Sequence, residues 1–295
     1  MKRHFLLALL WMAFTSIASA QKTGQENSLL WKVSGKGLTK PSYLFGTYHF
    51  LSSGFIDTMQ AVKNAYAASD AIVGELVIDS TIQAPMIAAS MLQGTTLQKL
   101  LPDTVYTKTS IWFKKEAGLD LIKLDQVNPL TVMTVALSIT QQKYFPNKRG
   151  EVQLDTYFQD RGKKDGKKIM GLETIGDQIN ALFNQLTLER QVDMLNTVFT
   201  EKDGFKSSIA TMNEAYIKND LKALQQLMYA NTYKPEEIKS LLDDRNNNWM
   251  KQLPNLMNKQ SLFVAVGALH LVGESGLINQ LEKQGYTVTP INLKN

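Results

Sequence analysis

Three histidines occur in the 295-residue chain, His4, His49 and His270. The last two share a local frame: Gly46-Thr47-Tyr48-His49 follows the run SYLF, and Gly267-Ala268-Leu269-His270 follows LFVAV. Imidazole is the side chain that most often binds a transition metal or moves protons near neutral pH. A glycine just before it lets the backbone approach a ligand closely or take a conformation closed to other residues. A single G-x-x-H recurs by chance, but here the pair carries both histidines beyond the N-terminal segment. Two carboxylates fall in comparable places. Glu75 interrupts the apolar run AIVGELVI, where an unpaired charge is costly to bury, and Glu173 follows KKIMGL. Two imidazoles and one carboxylate would supply the three protein ligands of a catalytic divalent-metal site with a position open for water. The second carboxylate is then free to act as general base. Arg245, in the run Asp243-Asp244-Arg245-Asn246, is suited to an anionic transition state or a substrate carboxylate.

Plainer readings of the same residues stand beside these. A histidine at a strand end can be a hydrogen-bonded structural residue, Glu75 a salt-bridged edge residue, Glu173 a cap for a helix starting near Ile175, and Arg245 an exposed helix charge. The basic cluster of Arg161, Lys163, Lys164, Lys167 and Lys168 is interrupted by Gly162, Asp165 and Gly166 and reads as a solvated turn rather than a phosphate site. The methionines, Met133, Met194 and Met212 among them, read as core filler.

The elements that would position the site are a β-hairpin (28–34 and 42–46), a helix over 57–68 and a strand over 71–78. Mostly helical sequence follows over 83–165, then a strand over 167–172. Further helices end with one running from Pro235 to about Met257, and the chain closes as strand 261–267, helix 274–284 and strand 287–293, with Gly285 placed to stop the last helix. PLTVMTVALSIT, apolar nearly all round, predicts a buried helix opened by Pro129. This order predicts an α/β fold: a mixed, partly parallel central sheet with an N-terminal hairpin and a large helical insertion at about 83–165, in one domain over 21–295. In such sheets ligands bind outside the carboxyl ends of the strands. There His49, Glu75, Glu173 and His270 would meet if their strands are parallel neighbours.

Residues 1–20 read as a cleavable export signal: Lys2 and Arg3, an apolar run from Phe5 to Phe14, then Ala18-Ser19-Ala20. Its removal takes two of the 32 basic residues against 27 acidic ones, leaving +3, too weak a balance to suggest nucleic acid. Apolar content of 44% and charge of 20% fit a globular protein, and no later run is long enough to span a bilayer. With no cysteine, a disulfide framework, a thiol nucleophile and thiolate-bound zinc are excluded.

The blocks LLWKVSGKGLTKPSYLFGTYH, DAIVGELVID, GLETIGDQINAL, DDRNNNWM and FVAVGALHLVGESGLINQLEKQGYTVTPI resemble the TraB/GumN family, which includes the Tiki Wnt-cleaving proteases. The resemblance covers nearly all of the chain after residue 20 and is most specific at the two ends. It implies a metal-dependent peptidase-type site on the two G-x-x-H motifs, with Gly46, His49, Gly267 and His270, the acidic positions Glu75 and Glu173, and the late pair Arg245 and Asn246. The implied cofactor is a divalent ion, Mn, Co or Zn. The implied partner is a peptide or protein substrate, and the implied place is outside the cytoplasm, in the periplasm or secreted. Some members are linked to shutting down a peptide pheromone. A binding protein that captures a peptide in the same cleft without cleaving it is therefore the alternative to a hydrolase.

Overall fold

The computed structural model describes residues 27–147, 151–200, 204–229 and 233–293. The expected export signal lies outside these residues. Six strands form one mixed sheet in the order β4-β3-β5-β2-β1-β6, where β1 is Leu30–Ser34, β2 Ser42–Thr47, β3 Ala71–Gly74, β4 Lys168–Gly171, β5 Leu262–Gly267 and β6 Thr287–Pro290. Strands β4, β3, β5 and β2 are parallel neighbours, while β1 runs antiparallel to both β2 and β6. The hairpin and the α/β class read from the sequence are as expected.

The central strands are short and apolar because both of their faces are covered. Every residue of β3 is buried, as are the first five of β5, the mark of parallel strands with helices on each side. On one face lies the helix Leu154–Lys164. Its Leu154 and Phe158, four residues apart and so on one side, are both buried, and the Phe158 ring sits 4.7 Å from Phe263 and 5.4 Å from Phe45, centroid to centroid. A second apolar core, including Leu97, Phe113, Leu121, Val132 and Leu195, is built by the helices between β3 and β4 with the helix Leu188–Thr200.

Three expectations are corrected. The strand over 71–78 ends at Gly74. Beyond it the Gln159 side chain takes the ladder's role, donating from Nε2 to Leu76 O at 2.9 Å and accepting from Ile78 N at 2.8 Å. Glu75 therefore follows its strand rather than interrupting it. The single helix expected over 235–257 is broken into Pro235–Ile238, a π-turn over Lys239–Asp243, Asp244–Trp249 and Leu253–Lys259. Pro254, which lacks an N–H, is tolerated only because a new helix starts there. The Pro129–Tyr144 helix is buried along one side, not all round: Thr134 and Ser138 are exposed and return their hydroxyls to carbonyls four residues back.

Candidate active site

The parallel register places the four expected side chains on one rim. Thr47 at the end of β2 pairs with Gly267 at the end of β5, so His49 and His270 leave neighbouring strands on the same side. Next to β5, the ends of β3 and β4 are tied together by Leu172 N and Glu173 N, both donating to Glu75 O at 2.9 and 2.8 Å. Gly46 and Gly267 serve by close approach rather than by unusual backbone angles. A Cβ on Gly46 would lie 2.9 Å from Ala268 Cα, and one on Gly267 would lie 3.2 Å from Glu75 Oε1.

Arg245 is the centre of this rim. Its Nε donates to Glu173 Oε2 (2.9 Å), Nη2 to Glu173 Oε1 (2.7 Å) and Glu75 Oε2 (2.6 Å), and Nη1 to Leu241 O (3.2 Å) and His270 Nε2 (2.9 Å). A guanidinium has five N–H donors, and all five are used. The π-turn before Arg245 inserts an extra residue into the helix and so turns Arg245, Asn246 and Trp249 toward the rim, a common use of such turns. Trp249, four residues on, is fully buried. Its ring lies 4.3 Å from that of His270 and 5.0 Å from the guanidinium carbon, and its Nε1 donates to Glu173 Oε2 at 3.0 Å.

The tautomer of His270 follows from its neighbours. Asn246 Nδ2 donates to His270 O (3.1 Å) and Ser275 O (3.0 Å), so its Oδ1 is the acceptor facing His270 Nδ1 at 2.7 Å. Nδ1 therefore carries the proton, and Nε2 presents its lone pair to Arg245 Nη1. Burial, with the guanidinium alongside, pushes His270 down to about 3 against the pull of Glu75, so the ring is neutral at physiological pH. Burial works against the charge on Glu75, but the groups around it, His270 and Arg245 foremost and then His49, and the Gly267 N–H at 2.8 Å hold it well below the usual carboxylate range. Glu173 is raised by its burial, with Arg245 opposing.

His49 stands apart. Its side chain is 66% exposed, and its Nδ1 pairs with Asp155 Oδ2 at 2.9 Å, while Asp155 Oδ1 accepts from Thr47 Oγ1 at 2.6 Å. The Asp155 hydrogen bond raises His49 to about 9, so it is cationic at neutral pH. Sequence reasoning missed two residues here. Trp249 shares a helix face with Arg245 by its i+4 spacing, which was a usable signal. Asp155 sits in the first turn of the helix that covers the sheet, and nothing in its local sequence separates it from an ordinary N-terminal acid.

The donor types suit a divalent ion: a neutral imidazole with its Nε2 lone pair toward the rim and an ionised carboxylate, 3.8 Å apart. Their placement does not. Among the described residues no three or more His, Cys, Asp or Glu side chains converge tightly enough to hold an ion. His49 is held by Asp155, and the lone pair of His270 is taken by Arg245. Nor is Arg245 free, as the side chains stand, to receive an oxyanion, and both Glu173 oxygens are already engaged. The basic cluster is structural in part: Arg161 pairs with Asp165 at 2.8 Å, and Lys167 donates to the Ser69 carbonyl.

Fold and site together define an α/β protein with a carboxylate–arginine–imidazole cluster at the carboxyl rim of its parallel strands. The chain belongs to the TraB/PrgY/gumN family, whose model matches residues 29–290. It is similar to metalloprotease TIKI2 of Danio rerio, 22% identical over 89% of this chain and 60% of that protein. Similar too are a metalloprotease TIKI homolog of Amphimedon queenslandica (22%, over 98% and 66%) and metalloprotease TIKI1 of Xenopus tropicalis (24%, over 91% and 62%). The chain spans about two-thirds or less of the length of these relatives. No solved structure matches it.

Proposed function

We propose that this chain is an exported hydrolase that cleaves peptide amide bonds at the rim formed by β2, β3, β4 and β5. The observation that carries the reading is the gathering of Glu75, Glu173, Arg245 and His270, from distant points of the chain, into one hydrogen-bonded cluster beside His49. A site for binding alone has no need of two acids and two imidazoles in contrasting charge states, and such contrasts are how acid and base roles are divided at neutral pH. In this reading His49, oriented by Asp155 and protonated, delivers its proton to the departing amine. Glu75, ionised, accepts a proton from the attacking water. Arg245, held in place by Glu173, acts as a positioning residue that helps to keep Glu75 charged and His270 neutral.

The metalloprotease relatives bring a divalent ion into the reading, with His49, Glu75, His270 and Glu173 as its candidate ligands. Such an ion would act as Lewis acid toward water and carbonyl. As the side chains stand these residues do not make its site, and the ion and the Arg245 guanidinium compete for the same His270 and Glu75 atoms. The export step rests on residues 1–20, and intact-mass measurement of the product outside the cytoplasm checks it, whether it is recovered from the periplasm or the medium.

The test is mass spectrometry of a mixed peptide library incubated with the purified chain, stripped of metal and then supplied with Mn2+, Co2+ or Zn2+. New termini are expected, with a loss of about 100-fold or more in Glu75→Gln and His49→Ala. Peptides that are bound yet intact under every metal would instead establish the capture reading. Metal content, measured on wild type, His49→Ala and His270→Ala, addresses the ligands separately: wild-type affinity in both variants removes them from the ion.

A further inference from the structure

Beside the polar cluster lies an open groove of about 470 Å3. Its lining includes Phe50, which directly follows His49, and Leu241, whose carbonyl receives Arg245 Nη1. Through these two residues the groove adjoins the elements that carry His49 and Arg245. Its floor is one face of the helix Pro129–Tyr144, where Leu130, Met133 and Leu137 recur at helical spacing. No charged side chain among the described residues lines it. At its lip, Ile87 is 64% exposed, a large apolar side chain left in water beside a site of opposite character. Two π-turns, Asn180–Asn184 and Lys239–Asp243, each contribute to the walls, and such turns are frequent at functional sites.

We propose that this groove is the side-chain subsite of the same site, and that its occupants are extended peptides carrying bulky apolar residues of the Leu, Met or Phe type next to the bond to be cut. The inference rests on the peptidase reading for the cut and on the groove alone for the preference. Roughly 150 Å3 of apolar cavity admits a benzene ring, so the groove has room for more than one large side chain, and the whole lies within the range of ordinary ligand sites. A peptide is the occupant that brings an apolar side chain and an amide together in one molecule, the one for the apolar groove and the other for the polar cluster beside it. A free acyl chain would fill the groove but leave nothing for Glu75 and His49 to act on.

The test compares two labelled octapeptides that differ only at the two central residues, Leu-Phe against Ser-Asn. Binding is read by fluorescence anisotropy on the metal-free chain and cleavage by mass spectrometry. The groove variants are Thr134→Trp, which fills it, and Ile87→Glu, which charges its lip. Both positions are exposed, and thermal melts of each variant check the fold. Expected are at least tenfold tighter binding of the Leu-Phe peptide, loss of that preference in both variants, its retention in Ile87→Leu, and new termini flanking Leu or Phe. Equal affinities, or a preference untouched by both groove variants, overturn the proposal. So does a groove that in wild type alone binds laurate while failing to discriminate the peptides. A Leu-Phe peptide held through the groove but never cut supports the subsite and removes the peptidase reading.

Discussion

The two Gly-x-x-His turns end adjacent parallel strands, yet they produce opposite histidines. His270 is buried, neutral, packed against the Trp249 ring and bonded to an amide; His49 is mostly exposed, cationic and bonded to a carboxylate. The motif alone does not set the chemistry. What differs is the helix that covers each turn: Asp244–Trp249 places Asn246 and Trp249 on His270, whereas the first turn of Leu154–Lys164 places Asp155 on His49. The lesson is that a repeated loop supplies two positions, and the packed helices assign them different protonation states.

The heaviest strain on that comparison comes from Arg245→Met. It leaves Glu75 and Glu173 buried without their shared cation, and breaking a buried ion pair by removing one partner costs about 3–5 kcal/mol. Denaturant unfolding at pH 7 is expected to show this loss, with part of it recovered near pH 4.5 as the freed carboxylates take protons. A loss under about 1 kcal/mol would mean that the cluster is not closed in solution. Next comes the contrast itself. His270→Ala leaves Asn246 Oδ1 and an Arg245 N–H unpaired in a buried site, each costing about 1–3 kcal/mol. His49→Ala, at an exposed position whose Asp155 keeps its bond to Thr47, is expected to cost clearly less, because solvent screens the pair it breaks. Equal losses would break the comparison.

A pH series sharpens it. His270 is lowered by burial, so below its unfolded value, roughly 6.5, the unfolded chain binds a proton that the folded chain refuses. Stability contributed by this site therefore falls as pH drops from there toward about 3, by up to about 1.4 kcal/mol for each pH unit. His49 has the opposite sign: its contribution is full below the unfolded value and disappears as pH rises through about 9. Histidine NMR titration of the folded chain checks both, one ring unprotonated throughout pH 5–8 and the other protonated throughout.

Much of this arrangement was legible in the sequence. The strands announced themselves through apolar runs, and the rule that sites form at carboxyl ends brought His49, Glu75, Glu173 and His270 to one rim before any coordinates. The length of β3 was not legible, because it depends on Gln159 from a helix 81 residues away from Ile78 replacing the ladder partner. The π-turn before Arg245 was also invisible, since KSLLD carries no breaker and its register is set by tertiary packing. The saturation of the guanidinium was missed for a different reason: residue types suggest partners, but only coordinates show how many of the five donors are already spent.

The smallest expected effect isolates the Asp155–His49 contact. Asp155→Asn keeps the size of the side chain and a hydrogen-bonding oxygen while removing the charge, so it gives His49 the kind of partner that Asn246 gives His270. The His49 titration is expected to fall from about 9 toward the ordinary range, while His270, with its own amide and its burial unchanged, does not move. The cost in stability is expected to be the smallest of the series and to disappear as pH rises through about 9, because solvent screens a largely exposed pair. If His49 keeps its raised value without the Asp155 charge, then the field of Glu75 rather than the local pair sets its state, and the helix Leu154–Lys164 loses the role assigned to it here.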